Sequence, residues 1–103
     1  MDIRKESTDT TLLVMVEGRL DTTTAPQLEQ ELSDSLDHVT DLILDFSGLE
    51  YLSSAGLRVL LGAQKRMNQQ GSMIVRNVNQ IIMEVFDITG FSGILTIVNH
   101  EAG

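Results

Sequence analysis

A chain of 103 residues with a formal net charge of -8 at pH 7 has room for one domain with its own core and not for two ordinary ones, so a single domain over residues 1–103 is expected. The acidic balance and the lack of any long basic run argue against nucleic acid as a partner, and no run of about eighteen apolar residues is present that would cross a bilayer. With no cysteine there is neither a disulfide framework nor a thiolate metal site. The opening MDIRKESTDTT lacks the apolar stretch of a secretory signal, so a cytoplasmic setting and a protein partner are expected, with no cofactor and no metal.

Residues 2–7 alternate weakly and read as an edge strand. TLLVMVEG (11–18) and DLILDF (41–46) are short, branched apolar runs of the kind that form buried strands. Only TDT separates the first two strands, which predicts a hairpin. Next, Ala25, Leu28, Leu32, Leu36 and Val39 fall on one face of a helix over about residues 24 to 38, with Thr24 and Gln27 spaced as a capping box and Pro26 in the first turn. A second helix begins after Ser54. Its inward side carries Leu57, Leu60, Leu61, Gln64 and Met67, with Lys65 and Arg66 near the C-terminal end, where cations suit the helix dipole. SMIVRN (72–77) is a further strand. A third helix over about 79–88 starts at Asn79 and stops at Gly90, and ILTIVN (94–99) is the last strand. Strands alternating with helices from residue 41 onward imply an α/β domain: a mixed sheet with an N-terminal hairpin and helices packed against it.

In such sheets sites gather at the C-terminal ends of strands, here GRLDTTTAP and the apolar loop DFSGLEYLSSAG. Triad hydrolysis fails as a reading: Leu52 stands where a nucleophile elbow at Ser54 would need glycine. The two histidines, His38 near a helix end and His100 near the C-terminus, read as solvated surface residues. No phosphate loop and no Gly-x-Gly-x-x-Gly follows any strand. DFSG resembles a kinase triplet only by chance. Asp21 and Asp45, each at a strand end, make a pair of carboxylates without a third ligand, a weak signal for metal or acid–base work. No catalytic residue is assigned.

What remains is the pair Ser53 and Ser54 at a helix start. One serine is explained as an N-cap, worth on the order of 1 kcal/mol. The second leaves a hydroxyl where a phosphate would meet backbone N–H donors and the positive end of the helix dipole. The helix face turned away from the presumed core carries Ala55, Arg58, Val59, Gly62, Arg66 and Gln69, a flat and locally basic surface suited to another protein. Gly62 inside a helix costs about 1 kcal/mol relative to alanine; close approach of a partner or tight packing within the domain both account for it. Leu49 reads as core, and Tyr51 suits core or partner surface alike.

Taken together, EGRLDTTTAPQLEQEL, LILDFSGLEYLSSAGLRVLLGAQKRM and VFDITGF resemble the STAS family, the domain shared by sulfate transporters and anti-sigma factor antagonists, and in particular its stand-alone antagonist branch. The resemblance spans roughly residues 2 to 99. It implies that an anti-sigma factor, itself a serine kinase, is the partner and phosphorylates the serine at the start of the second helix. The unphosphorylated antagonist would capture the anti-sigma factor and free the sigma factor, and a metal-dependent serine phosphatase would reset the modified form. By position the acceptor falls on Ser54, two residues before Gly56, with Ser53 as second choice where many members carry aspartate. Asp21 matches the acidic residue placed beside the acceptor. The implied partner-binding residues are Asp21, Thr22, Ser53, Ala55, Arg58, Val59, Gly62 and Arg66. The resemblance leaves one alternative within the fold, a cytoplasmic STAS subunit of a membrane lipid-transport complex that docks on a permease without inserting into the membrane. Nucleotide binding, from a different class, is opposed by the missing phosphate loop.

Overall fold

The computed structural model describes residues 1–98. β1 (Asp2–Thr8) and β2 (Thr11–Leu20) form the expected antiparallel hairpin, with Thr8 opposite Thr11 and Asp2 opposite Glu17. There follow α1 (Ala25–Ser35), β3 (Asp41–Leu52), α2 (Ser54–Gln70), β4 (Ser72–Arg76), α3 (Gln80–Thr89), a 3-10 turn at Phe91–Gly93 and β5 (Ile97–Val98). The strands lie in the order β1-β2-β3-β4-β5, and every pairing after the first is parallel. Each crossover therefore steps the same way along the sheet, and right-handed connections place all three helices on one face. Burial follows that geometry. Leu12, Val14 and Val16 of β2, Leu42, Leu44 and Phe46 of β3, and Met73 and Val75 of β4 are buried toward Leu28 and Leu32 of α1, Leu60 and Met67 of α2, and Ile82 and Phe86 of α3. Leu13, Ile43 and Ile74, which lie in one row on the opposite face, are only half-buried.

β3 differs most from the sequence expectation. Instead of ending at residue 46 and giving way to a loop, it continues to Leu52, long after β4 has stopped opposite Asp45. The added length pairs with β2 alone: Gly48 with Glu17, Leu49 with Gly18, Tyr51 with Arg19 and Leu52 with Leu20, across two register irregularities. Buried Leu49 and Leu52 reward the extension with apolar contact. Gly48 permits it, since a Cβ there would lie 2.6 Å from Glu17 Cγ. α3 is tied to this stretch by Asn79, whose Nδ2 donates to the Leu49 carbonyl at 2.9 Å while its Oδ1 accepts from the Ile82 N–H at 2.9 Å. Asn79 is thus the expected N-cap, and Gly90 the expected left-handed C-cap at φ 84°.

Other boundaries shift, β2 running on to Leu20 among them. α1 stops at Ser35 rather than 38, because the chain turns through His38 at φ 68°, outside helical space. α2 runs on to Gln70, so Lys65 and Arg66 lie before its last turn. Arg66 instead reaches Asp37 at 2.8 Å, and Gln70 Nε2 donates to the carbonyls of Leu36 and Val39, pinning the turn that follows α1. The last strand shortens to Ile97–Val98 because the Phe91–Gly93 turn and the Leu95 N–H bond to the Phe91 carbonyl curl the chain before it. Residue 99 and His100 lie outside the described residues. Among the described residues no helix is long and apolar enough to cross a membrane.

Because Asn79 joins two elements as well as capping one, Asn79→Ala should lower stability by about 1–2 kcal/mol, read from urea unfolding. Asn79→Asp, which keeps the cap and loses the bond to Leu49, should fall between.

Candidate functional site

The extended pairing delivers two loops to one place. Leu20 and Leu52 are partners in register, and the Ser53 N–H donates to the Leu20 carbonyl at 2.9 Å. The chain leaves β2 as Asp21 and leaves β3 as Ser53, side by side at the end of the sheet.

The Asp21 loop is held from within. Asp21 Oδ1 accepts from the Thr23 hydroxyl at 2.8 Å and from the N–H groups of Thr23 and Thr24 at 3.0 and 3.1 Å. The Thr23 hydroxyl foremost, opposed by desolvation and aided by those N–H groups, holds the carboxyl below its ordinary pKa. The expected capping box of Thr24 with Gln27 does not form. The Thr24 hydroxyl turns back into the loop, donating to the Arg19 carbonyl at 2.7 Å and accepting from the Asp21 N–H at 2.8 Å. Asp21 therefore ties the turn that leads into α1, its side chain accepting from the N–H of the N-cap residue Thr24 and its carbonyl from the Ala25 N–H at 2.8 Å. Arg19 lies over the Tyr51 ring, 4.1 Å from its centroid, with Nε 3.7 Å from Asp21 Oδ2. Tyr51 is thus a surface residue, and Leu49 is core. Composition and spacing alone had not singled out Thr23 or the Arg19–Tyr51 stack; hydroxyls directly after an aspartate were the available signal for a side-chain-bonded turn.

The two serines are not equivalent. Ser53 is the N-cap residue of α2, extended at φ -98° and ψ 174°, yet its side chain makes no cap bond. Its Oγ is buried without a partner, while its carbonyl accepts from the Leu57 N–H at 3.0 Å. The cap is therefore backbone only, unlike the side-chain cap expected from sequence. Ser54, the first helical residue, is exposed. Gly56 behind it is buried where a Cβ would stand 2.7 Å from both Leu20 Cγ and Leu52 Cδ1, so α2 starts hard against the two strand ends.

From this corner a shallow groove runs between α1 and α2. Thr22, Ala25 and Glu29 face Ala55, Arg58 and Val59 across it, and it continues past Gly62 and Ala63 to Leu36 and Arg66. Val59 had been expected on the outward face; it is only 7% exposed because α1 packs over it and makes it the groove floor. Ala55 is half-buried for the same reason. Thr22, Ala55, Arg58, Val59, Gly62 and Arg66 thus share one groove, whereas Asp21 and Ser53 lie at its head. A Cβ at Gly62 would meet nothing within 4 Å, so packing inside the domain does not require that glycine. Arg66 is spoken for by Asp37, which leaves Arg58 as the exposed cation of the groove near Ser54.

The other sequence candidates lie apart. Asp45 sits on the opposite sheet face as a structural carboxylate, accepting from the Ser47 N–H at 2.9 Å, Arg76 Nε at 3.1 Å and Asn77 Nδ2 at 3.0 Å. Burial raises its pKa, but the bonds from Ser47, Arg76 and Asn77 outweigh this and lower it overall. His38 is exposed in the turn entering β3, a full strand away from the serines.

Two outcomes follow from these contacts. In urea unfolding, Gly56→Ala should cost about 1–3 kcal/mol through overpacking, whereas Gly62→Ala should add up to about 1 kcal/mol. Asp21 and Asp45 both have lowered folded pKa values. As pH falls, the unfolded chain protonates first, near pH 4. The stability these groups give is complete above about that value and disappears as pH drops through their folded pKa values. Asp45→Asn should accordingly flatten the acid limb of a melting-temperature profile recorded between about pH 5 and pH 2.

Residues 2–103 match the STAS domain family. The chain is 35% identical over 103 residues to BtrV of Bordetella bronchiseptica, assigned as an anti-sigma factor antagonist, covering 98% of this chain and 89% of that protein. It is 30% identical over 104 residues to the anti-sigma-B factor antagonist of Bacillus subtilis, covering 100% and 94%. Its fold superposes on the unphosphorylated anti-sigma factor antagonist SpoIIAA with a TM-score of 0.84 at 22% identity, over 98% of this chain and 90% of that one. The phosphorylated form of the Bacillus cell fate determinant SpoIIAA gives 0.77 at 22% identity, over 98% and 93%. With its mixed sheet, its one-sided helices and its match along nearly the whole length, the chain belongs to the STAS domain family.

Proposed function

We propose that this chain is an anti-sigma factor antagonist whose binding is switched by phosphorylation of Ser54. In this reading the unphosphorylated chain binds, through the α1–α2 groove and the Asp21 loop, an anti-sigma factor that is itself a serine kinase, and so releases a sigma factor. Transfer of phosphate to Ser54 ends the complex, and a metal-dependent serine phosphatase restores the starting form. The chain itself is a binding protein, not a catalyst. The observation that carries the reading is the asymmetry of the serine pair: Ser54 is exposed at the head of the groove, while the Ser53 Oγ is buried. The names of the Bordetella and Bacillus relatives support the partner class.

Charge explains how one modification would act. A phosphate brings roughly -1.5 to -2 charges at neutral pH, at the sheet corner that also carries Asp21 and on a chain already at -8. The first turn of α2 tolerates it, because free backbone N–H groups and the helix dipole favour an anion there. A partner surface that fits the neutral hydroxyl must then desolvate a dianion against Asp21. A hundredfold loss of affinity needs only about 2.7 kcal/mol, within the reach of one uncompensated charge at an interface, with no change of fold.

Binding of a purified anti-sigma factor serine kinase from the same organism, followed by calorimetry, tests the proposal together with phosphosite mapping. Ser54→Ala should retain affinity within about threefold and block phosphate incorporation, and Ser54→Asp should bind at least about thirtyfold more weakly. Phosphate found on Ser53, or equal binding by Ser54→Asp, would overturn it. Recovery of a permease complex in its place would favour the lipid-transport reading.

A further inference from the structure

The outer side of α3 has no role in the site described above, and its composition is unusual for a solvated helix. Ile82 and Phe86 point into the core and are fully buried, yet Ile81 is 66% and Ile88 86% exposed. Scattered exposed apolar residues are ordinary. Here, however, Ile81, half-buried Val85 and Ile88 recur at i, i+4 and i+7, which places them in one stripe along the helix. β-Branched residues at solvated helical positions lower helix propensity, so the stripe is not explained by the stability of α3. Glu84 and Asp87, both exposed, flank it on one side, and there is no lysine, arginine or histidine anywhere between residues 77 and 98.

We infer that the Ile81–Val85–Ile88 stripe is a docking surface for a basic amphipathic helix of another protein, distinct from the groove at Ser54. The length fits: seven residues of helix span about 10 Å, the reach of two turns of a facing helix with anchors at i, i+3 or i+4, and i+7. The charge selects among occupants. A second copy packed antiparallel about a two-fold axis would set Glu84 and Asp87 against their own equivalents, and in either orientation would join two chains of net charge -8; an anionic lipid surface would meet the same repulsion. A helix with apolar anchors and a lysine or arginine flank is complementary on both counts. No residue of the stripe lines the α1–α2 groove, so occupancy here does not compete for that groove.

The test uses the full chain, labelled with 15N, titrated with two stapled amphipathic helices: one with a leucine face and a lysine flank, the other with glutamates in place of the lysines. The expected result is shift changes gathered in α3 and the turn after it, with the lysine peptide binding at micromolar Kd. Replacing both exposed anchors (Ile81→Ser with Ile88→Ser) should weaken it roughly tenfold or more. Neutralising the flank (Glu84→Gln with Asp87→Asn) should weaken it about threefold, and the glutamate peptide should not bind. These exposed substitutions should leave the melting temperature within a few degrees. Ser54→Asp should leave the peptide Kd unchanged, so the outcome does not depend on partner switching. The inference is overturned if binding survives the serine pair, or if both peptides bind alike. It is overturned equally if the serine pair instead abolishes self-association in sedimentation equilibrium, or abolishes cosedimentation with phosphatidylglycerol vesicles.

Discussion

The parallel pairing of β2 with β3 beyond the end of β4 is the constraint on which the rest of the molecule depends. Within the shared sheet, each strand has neighbours that would hold it in place. Past Asp45, β3 has β2 alone on its hydrogen-bonding edge, with Asn79 of α3 clasping the Leu49 carbonyl. That one ladder sets Leu20 opposite Leu52 and thereby decides which residue of each loop emerges where. A slip of one residue would turn Leu49 and Leu52 out of the core and separate Asp21 from the serines. The register irregularities between Met15 and Glu17 and between Gly18 and Arg19 are of the kind that bend a strand and increase its local twist.

On this frame the surface divides its tasks between neighbours. Ser53 lends its backbone to the strand end and to the start of α2, and its side chain faces inward; Ser54 gives nothing to the fold that a different small residue could not give. A position so unconstrained by packing is free to be altered without loss of structure. Asp21 shows the opposite arrangement. Its carboxylate is occupied by Thr23 and Thr24, so its negative charge is held in place by its own loop. The groove then extends this corner along α1 and α2, with an apolar floor of Val59 and Ala63 between Glu29 and Arg58 on its walls.

How much of this could be read from the residues depends on how local each determinant is. Asn79 and Gly90 announced the ends of α3, because caps act within a turn. The α/β order, the hairpin and Ser54 at a helix start were legible for the same reason, and the three quoted motifs carried the family. The extension of β3 was not, since GLEYL contains no strand signal stronger than its turn signals, and only pairing with distant β2 settles it. Val59 was misplaced because the helical period gives a residue's angle on its own helix, not the position of α1 above it. Thr24 looked like half of a capping box, but the Asp21 N–H and the Arg19 carbonyl won its hydroxyl. The inequality of Ser53 and Ser54 was beyond any spacing argument, as it rests on the 3.6-residue turn beginning between them against a wall made by Leu20 and Leu52.

The position of Ser54 also limits what kind of enzyme can act on it. Its backbone is part of the first turn of a 17-residue helix, anchored through Gly56 to two strand ends, and it is not free to be drawn out as an extended peptide. An active site that reads substrates as strands would have to melt that turn and expose Leu57 and Leu60 before it could reach the oxygen. One that accepts a convex, folded shoulder needs no such melting. Any enzyme that modified this hydroxyl would therefore have to recognise it in its folded conformation, and a peptide copied from residues 49 to 61 would be a poor stand-in for the intact domain.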